Sequence, residues 1–327
     1  MTKARKHQIS LDATPYYHVI SRCVRHAYLC GEDKLTGRSF EHRRTWIEKD
    51  LEQLAEVFFI DTAAYAIMSN HYHLVLHVNK ASAQKAGTRE IIERWHRRFG
   101  GNEASQKYLD YEPLEPFEKE LLNVQVDLWR NRLFSISWLM RTLNETTARK
   151  ANREDECTGR FWEGRFKSIP LLDDQALLSC MAYVDLNPIR AGVASTPEHS
   201  EHTSIKRRSE CFALSGELKQ PDHLMRLVGS SLHPEEYGIA FNLTDYLELV
   251  DWTGRQIRED TSGRIEADAP PVLNRLNISP KHWIYLSTQF ESRFKGIVGT
   301  AESLKRSWKK FGLIRKQSLK ASLELFC

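Results

Sequence analysis

No stretch of this chain is apolar for long enough to span a bilayer. The opening Met1-Thr2-Lys3-Ala4-Arg5-Lys6 has no apolar run behind it to act as a signal peptide. No membrane partner is expected, and the sequence points to the cytoplasm. Paired cysteines are also missing. Cys23, Cys30, Cys157, Cys180, Cys211 and Cys327 are scattered without any Cys-x-x-Cys, which argues against a zinc ribbon or a disulfide framework and for buried free thiols. There is no internal repeat and no low-complexity tract. Net charge is small as well, +4 over 327 residues, so the total says little about partners.

What is present is a real core and an uneven charge distribution. A hydrophobic fraction of 41% and a charged fraction of 28% describe one large globular domain or two ordinary ones. Ser279 to Lys320 carries ten Lys or Arg against two acids, Glu291 and Glu302. A concentrated basic end is the footprint of a polyanion partner, unless it is only a solvated helix face.

Tyr16–Cys23 is rich in β-formers and reads as a first strand. Phe40–Val57 has helical periodicity, with Trp46, Ile47, Leu51, Leu54 and Val57 on one stripe. Ile60–Met68 is a second strand, and Ser69-Asn70 links it tightly to a third that starts at His71, so the two should pair antiparallel. Strand, helix, strand, strand opens a ferredoxin-like α+β arrangement. Residues 79–134 are polar, hold helices near Arg89–Phe99 and Glu118–Arg132, and read as a helical insertion. Ser135–Arg153 is again helical. A short strand runs through Leu172, and a helix capped by Asp173 or Asp174 runs to Pro188, where it should stop or kink. Further helices are expected at Asn242–Arg258, Pro280–Ile297 (capped by Ser279) and Ala301–Phe311, with a linker at Asp260–Pro271. These elements suggest a domain over 1–195 and a mostly helical, basic region over 196–327.

The third strand holds the most informative feature, Asn70-His71-Tyr72-His73-Leu74-Val75-Leu76-His77-Val78. Alternation points His71 and His73 the same way, roughly 6–7 Å apart at their bases, close enough to converge on one ion. Tyr72, Leu74, Leu76 and Val78 take the opposite face. His77 is too far along to share an ion with His71. A histidine pair on a strand is more often an ordinary hydrogen-bonded pair than a metal site, so the rest of the chain decides. Tyr183 and Asn187, spaced i and i+4 near the end of the expected helix, share a face. The Asn187 amide oxygen would complete a three-ligand site for a hard divalent ion.

His71-Tyr72-His73 resembles the His-hydrophobic-His motif of the HUH single-strand DNA endonucleases. Met68-Ser69-Asn70-His71-Tyr72-His73-Leu74, Gly159-Arg160-Phe161-Trp162-Glu163-Gly164-Arg165-Phe166 and Tyr183-Val184-Asp185-Leu186-Asn187-Pro188-Ile189-Arg190-Ala191-Gly192 resemble the single-tyrosine transposases. Within these, they are most similar to the REP-associated tyrosine transposases. The resemblance covers roughly residues 10–195, with 79–134 longer than the usual family connection.

The resemblance implies an HUH core with Tyr183 as nucleophile, His71 and His73 as metal ligands, and Asn187 at the position of a third polar ligand. It implies Mg²⁺ or Mn²⁺ as cofactor, and attack on a phosphodiester beside a hairpin to give a 5′-phosphotyrosine and a free 3′-hydroxyl. The implied partner is single-stranded DNA folded into palindromic hairpins, met at the bacterial nucleoid by a monomer or a homodimer. A hairpin-binding protein without strand transfer and a phosphodiesterase that activates water are the alternatives. For gripping DNA, the candidates are Lys3 and Arg5 in the N-terminal arm, Arg160, Phe161, Trp162, Arg165, Lys167 and Arg190 in the middle, and Lys305, Arg306, Lys309 and Lys310 near the end. Phe161 and Trp162 fit either base stacking or a plug in the core.

Overall fold

A computed structural model describes residues 8–24, 29–33, 37–216, 219–229, 237–259, 269–294, 296–312 and 318–326. Four strands, β1 (Tyr16–Arg22), β2 (Ile60–Ile67), β3 (His71–Val78) and β4 (Lys167–Leu171), form one antiparallel sheet in the order β2-β3-β1-β4. With α1 (His42–Val57) between β1 and β2, this is the expected ferredoxin-like α+β order. Met68 N–H donates to His71 O at 2.8 Å, closing the link between β2 and β3. Pairing of Tyr16 with Leu171 and Tyr17 with Pro170 sets the register of β1 on β4. Pro170, which has no N–H to give, is accommodated because β4 is the last strand of the order.

Between β3 and β4 come α2 (Lys80–Lys85), α3 (Thr88–Phe99), α4 (Glu103–Leu109), α5 (Pro116–Leu133) and α6 (Ile136–Glu154). After β4 come α7 (Asp174–Asp185), α8 (Asn187–Arg190), α9 (Ser204–Ser215), α10 (Leu243–Glu259), α11 (Val272–Arg275), α12 (Pro280–Arg293), α13 (Ala301–Ser307) and α14 (Leu319–Leu325). The chain divides into two compact units, one of residues 1–45, 62–76 and 162–327, the other of residues 46–61 and 77–161. In the second unit, Trp95 and Trp129 stack at 5.3 Å, and Asn102 and Ser105 make a reciprocal cap on α4.

The first unit contains the candidate site, and the chain beyond residue 195 is built into its core. Trp283, Leu286, Phe290 and Phe294 of the α12 segment, with Tyr246, Leu249 and Val250 of α10, share one apolar cluster with Leu177, Met181 and Val184 of α7. The later chain also covers the sheet. Thr62 and Ala66 of β2 bridge Leu224 and Thr203, and Leu171 of β4 bridges Val298. Outer strands with open N–H and C=O groups invite association, and these bridges occupy them.

Caps and breaks agree in part with expectation. Asp173 accepts from Ala176 N–H at 3.0 Å and Ser279 from His282 N–H at 3.3 Å, so both expected caps form. The helix expected to run to Pro188 instead ends at Asp185. Leu186 (φ −87, ψ 3) breaks it, and Pro188 sits in the first turn of α8, where its missing N–H is harmless. α12 stops at Arg293 instead of Ile297, with Phe294 already extended. It is also kinked at Gln289 (φ −117, ψ 15), immediately before Phe290. The segment expected as one helix over Ala301–Phe311 changes at Trp308 into a tighter 3-10 turn. Of the expected linker, 260–268 lie outside the described residues. No helix among the described residues is long and apolar enough to cross a membrane.

Candidate active site

β3 presents His71 and His73 on one face, as its alternation requires, with ring centroids 4.8 Å apart and planes at 80°. Tyr72 faces the other way, fully buried and edge-on to Trp162 at 5.6 Å. His71 is partly buried, and its Nδ1 lies 2.6 Å from Asn70 Oδ1. An amide oxygen only accepts, so His71 carries its proton on Nδ1 and leaves Nε2 bare. His73 is fully buried, and its Nε2 has no hydrogen-bond partner. His77, as expected, takes no part: its Nδ1 pairs with Asp61 Oδ2 at 2.9 Å.

A third imidazole joins them from the neighbouring strand. His18 of β1 is fully buried and nearly coplanar with His73 (17° between planes, centroids 5.1 Å apart), with its Nε2 2.9 Å from His73 Nδ1. Burial keeps all three rings neutral. It lowers His18 to about 3 and His71 to about 4, and His73 well below the ordinary histidine value, with neighbouring positive charge adding to the effect. Neutral imidazole is the form that binds metal.

Tyr183 reaches this cluster from α7. Its ring stands edge-on to His73 at 5.8 Å and to His18 at 6.1 Å, and lies beside Phe290 of α12 at 5.7 Å. It is only 7% exposed. Arg190 covers its other side, with the guanidinium carbon 3.7 Å from the ring centroid. The same guanidinium donates to the carbonyls of Ser287 and Thr288 at 3.2 and 3.1 Å. Burial raises the Tyr183 phenol above its usual range, and the Arg190 charge works against that rise.

Asn187 is buried at the start of α8, beyond the break, and its amide bonds to none of the described residues. Among the described residues no group of three or more His, Cys, Asp or Glu is arranged to hold a metal ion. An amide oxygen such as that of Asn187 is a donor type that a hard divalent ion accepts. Asp185 is occupied elsewhere. Its oxygens accept from Ser204 Oγ at 2.5 Å, Ile205 N–H at 2.9 Å and Tyr246 OH at 2.6 Å, which ties α7 to α9 and α10.

The expected DNA-gripping residues fall into three groups. Arg160, Arg165, Lys305, Arg306 and Lys309 are exposed; Lys167 is exposed beside Glu291, and Lys310 donates to Asp12 O at 2.6 Å. Phe161 is buried, Trp162 is half-buried against Tyr72, and Arg190 lies over Tyr183. Of the two readings open for Phe161 and Trp162, burial favours the plug. Lys3 and Arg5 lie outside the described residues. Sequence reasoning missed His18 and Phe290. The one signal for His18 was a titratable side chain inside a β-forming run, and Phe290 looked like any apolar residue of an amphipathic helix.

No family model matches this chain, and no curated protein matches it. Among solved structures, a REP-associated tyrosine transposase bound to a REP hairpin is similar, with a TM-score of 0.38 and 10% identity, covering 70% of this chain and 100% of that one.

Proposed function

We propose that the chain is a metal-dependent endonuclease and strand transferase acting on single-stranded DNA hairpins, with Tyr183 as nucleophile. The observation that carries the reading is the Tyr183 ring with its centroid 5.8 Å from that of a buried imidazole whose Nε2 has no partner, with a bare Nε2 on the next ring of the same strand face. His71 and His73 would hold Mg²⁺ or Mn²⁺, with Asn187 as the polar donor. When bound, the ion supplies charge to polarise and orient the scissile phosphate. Tyr183 Oη gives up its proton and bonds to phosphorus, the P–O3′ bond breaks, and a 5′-phosphotyrosine and a 3′-hydroxyl result, one proton lost at the phenol and one gained at O3′. The 3′-oxygen leaves with the electron pair and takes up a proton. Arg190 favours the phenolate by placing a fixed positive charge against the ring. Retaining the phosphodiester energy in the tyrosyl link lets the end be rejoined to another 3′-hydroxyl.

The decisive experiment incubates the full chain with single-stranded hairpin DNA and Mn²⁺, then resolves the products on a denaturing gel. Wild type is expected to give a covalent protein–DNA band and Tyr183→Phe none. A Tyr183→Phe chain that cleaves at the wild-type rate would establish the water-activating phosphodiesterase instead. A wild-type chain that binds the hairpin but never cleaves it would establish a binding protein.

The exposed cations near the end of the chain supply the electrostatic part of DNA binding in this reading. Replacing Lys305, Arg306, Lys309 and Lys310 together by alanine is expected to flatten the dependence of log affinity on log salt by about 1–3 units, since each phosphate contact contributes about 0.7–0.9. Hairpin binding titrated between low and moderate salt measures this, and an unchanged slope removes these residues from the interface.

A further inference from the structure

His18 has no part in the reaction as derived so far, yet its position is tightly defined. Its Nε2 is 2.9 Å from His73 Nδ1. The far nitrogens of the two rings, His18 Nδ1 and His73 Nε2, are both buried without a hydrogen-bond partner. A neutral imidazole has one N–H and one acceptor nitrogen, so the contact has two arrangements. If His18 donates, His73 must carry its proton on Nε2, and that nitrogen is lost as a ligand. If His73 donates from Nδ1, its Nε2 becomes a bare lone pair.

We propose that His18 is a positioning residue for the cation site: its Nε2 accepts the Nδ1 proton of His73 and so holds that ring in the tautomer and orientation that present Nε2 to a divalent ion. This rests on the metal reading of His71 and His73 given above. His71 shows the same device built from a different part, since Asn70 Oδ1 at 2.6 Å fixes its proton on Nδ1. Both rings thus expose Nε2, one through the residue before it and one through a residue on the adjacent strand. Metal-binding histidines commonly pass their second N–H to an acceptor in this way, and the acceptor sets both ring orientation and affinity. His18 is itself held, because Tyr183 and Phe290 each stand edge-on to it at 6.1 Å.

The test uses the full chain as wild type, His18→Phe and His18→Gln, with folding checked by thermal melts. Phenylalanine keeps the ring and removes the acceptor, whereas glutamine restores a carbonyl oxygen at similar reach. Calorimetric titration with MnCl₂ is expected to show about a 10–100-fold loss of affinity in His18→Phe and recovery to within a few-fold of wild type in His18→Gln. Imidazole nitrogen NMR of the metal-free wild type, assigned with His18 and His73 variants, is expected to show His73 protonated on Nδ1. His73 protonated on Nε2 in wild type, or a folded His18→Phe chain that binds Mn²⁺ as wild type does, overturns the proposal. If His18→Phe does not fold, the wild-type tautomer alone decides. A wild-type chain with no Mn²⁺ affinity overturns the metal reading instead, and the tautomer measurement still judges His18.

Discussion

Replacing Asp185 by alanine is expected to remove about 3–5 kcal/mol of stability, enough to lower the melting temperature by on the order of 10 °C. The carboxylate is completely buried and accepts from three donors on two other helices. Truncation strands the Tyr246 hydroxyl and the Ile205 N–H without an acceptor, at about 1–3 kcal/mol for each buried group left unpaired, and leaves the Ser204 hydroxyl only the longer bond to Tyr65 O at 3.3 Å. It also deprives Arg208 of nearby negative charge. Arg208 is fully buried and otherwise donates to Gln220 Oε1 and to the carbonyls of Ala63 and Met225. Calorimetric melting at neutral pH measures the loss, and a drop under about 1 kcal/mol would mean that water or relaxation satisfies these groups. The pH dependence has a definite sign. Burial lifts the Asp185 carboxyl from 3.8 to about 6, against the pull of its donors. Folding therefore takes up a proton between those values, and the stability that Asp185 contributes is full below them and declines as pH rises through about 6. Asp185→Asn is expected to abolish that slope, whatever it does to stability.

A chain ended after Ser195 is expected to lose its cooperative fold altogether, although the motifs resembling the transposases all precede that point. Tyr246, Leu249, Val250, Trp283, Leu286, Phe290 and Phe294 are each fully buried in the cluster that α7 also lines. At about 1.5–3 kcal/mol for each large side chain, their removal outweighs a net stability of about 5–15 kcal/mol. The same cut strips the bridges from β2 and β4 and leaves both strands open to association. The fragment should be insoluble, or soluble with strong binding of an apolar dye and no sharp melting transition. A soluble 1–195 fragment with a single cooperative melt would show that the later chain is a separable region.

The contrast between these two sites shows what a sequence makes visible. Local periodicity identified β1, β2, β3 and α1 to within a residue or two, because alternation and the 3.6-residue repeat are properties of neighbouring positions. The pairing of His71 with His73 was visible for the same reason. His18 was not, because its value depends on which strand lies beside β3 and in which register, and neither is written near Tyr16–Arg22. Phe290 and the carbonyls of Ser287 and Thr288 were invisible too. They meet Tyr183 and Arg190 from about a hundred positions away, and nothing in an amphipathic stripe names its partner. The break at Leu186 shows the opposite case, a local signal read slightly wrong. Pro188 did end the regular helix, but the chain resumed helical geometry around it instead of leaving.

The pairing of β1 with β4 has a consequence in time. Thr14 bonds to the Leu171 carbonyl across 157 positions of sequence. Closing so long a loop costs only about 4–5 kcal/mol by the logarithmic rule, and less if the intervening helices have already compacted. The delay during synthesis matters more. At about 5–20 residues per second, β4 emerges roughly 8–30 s after β1. For that interval β1 has no β4 to pair with, and the edge that β4 will take is open. A newborn chain is therefore open to mispairing along β1 until β4, a dozen residues ahead of Tyr183, has been made.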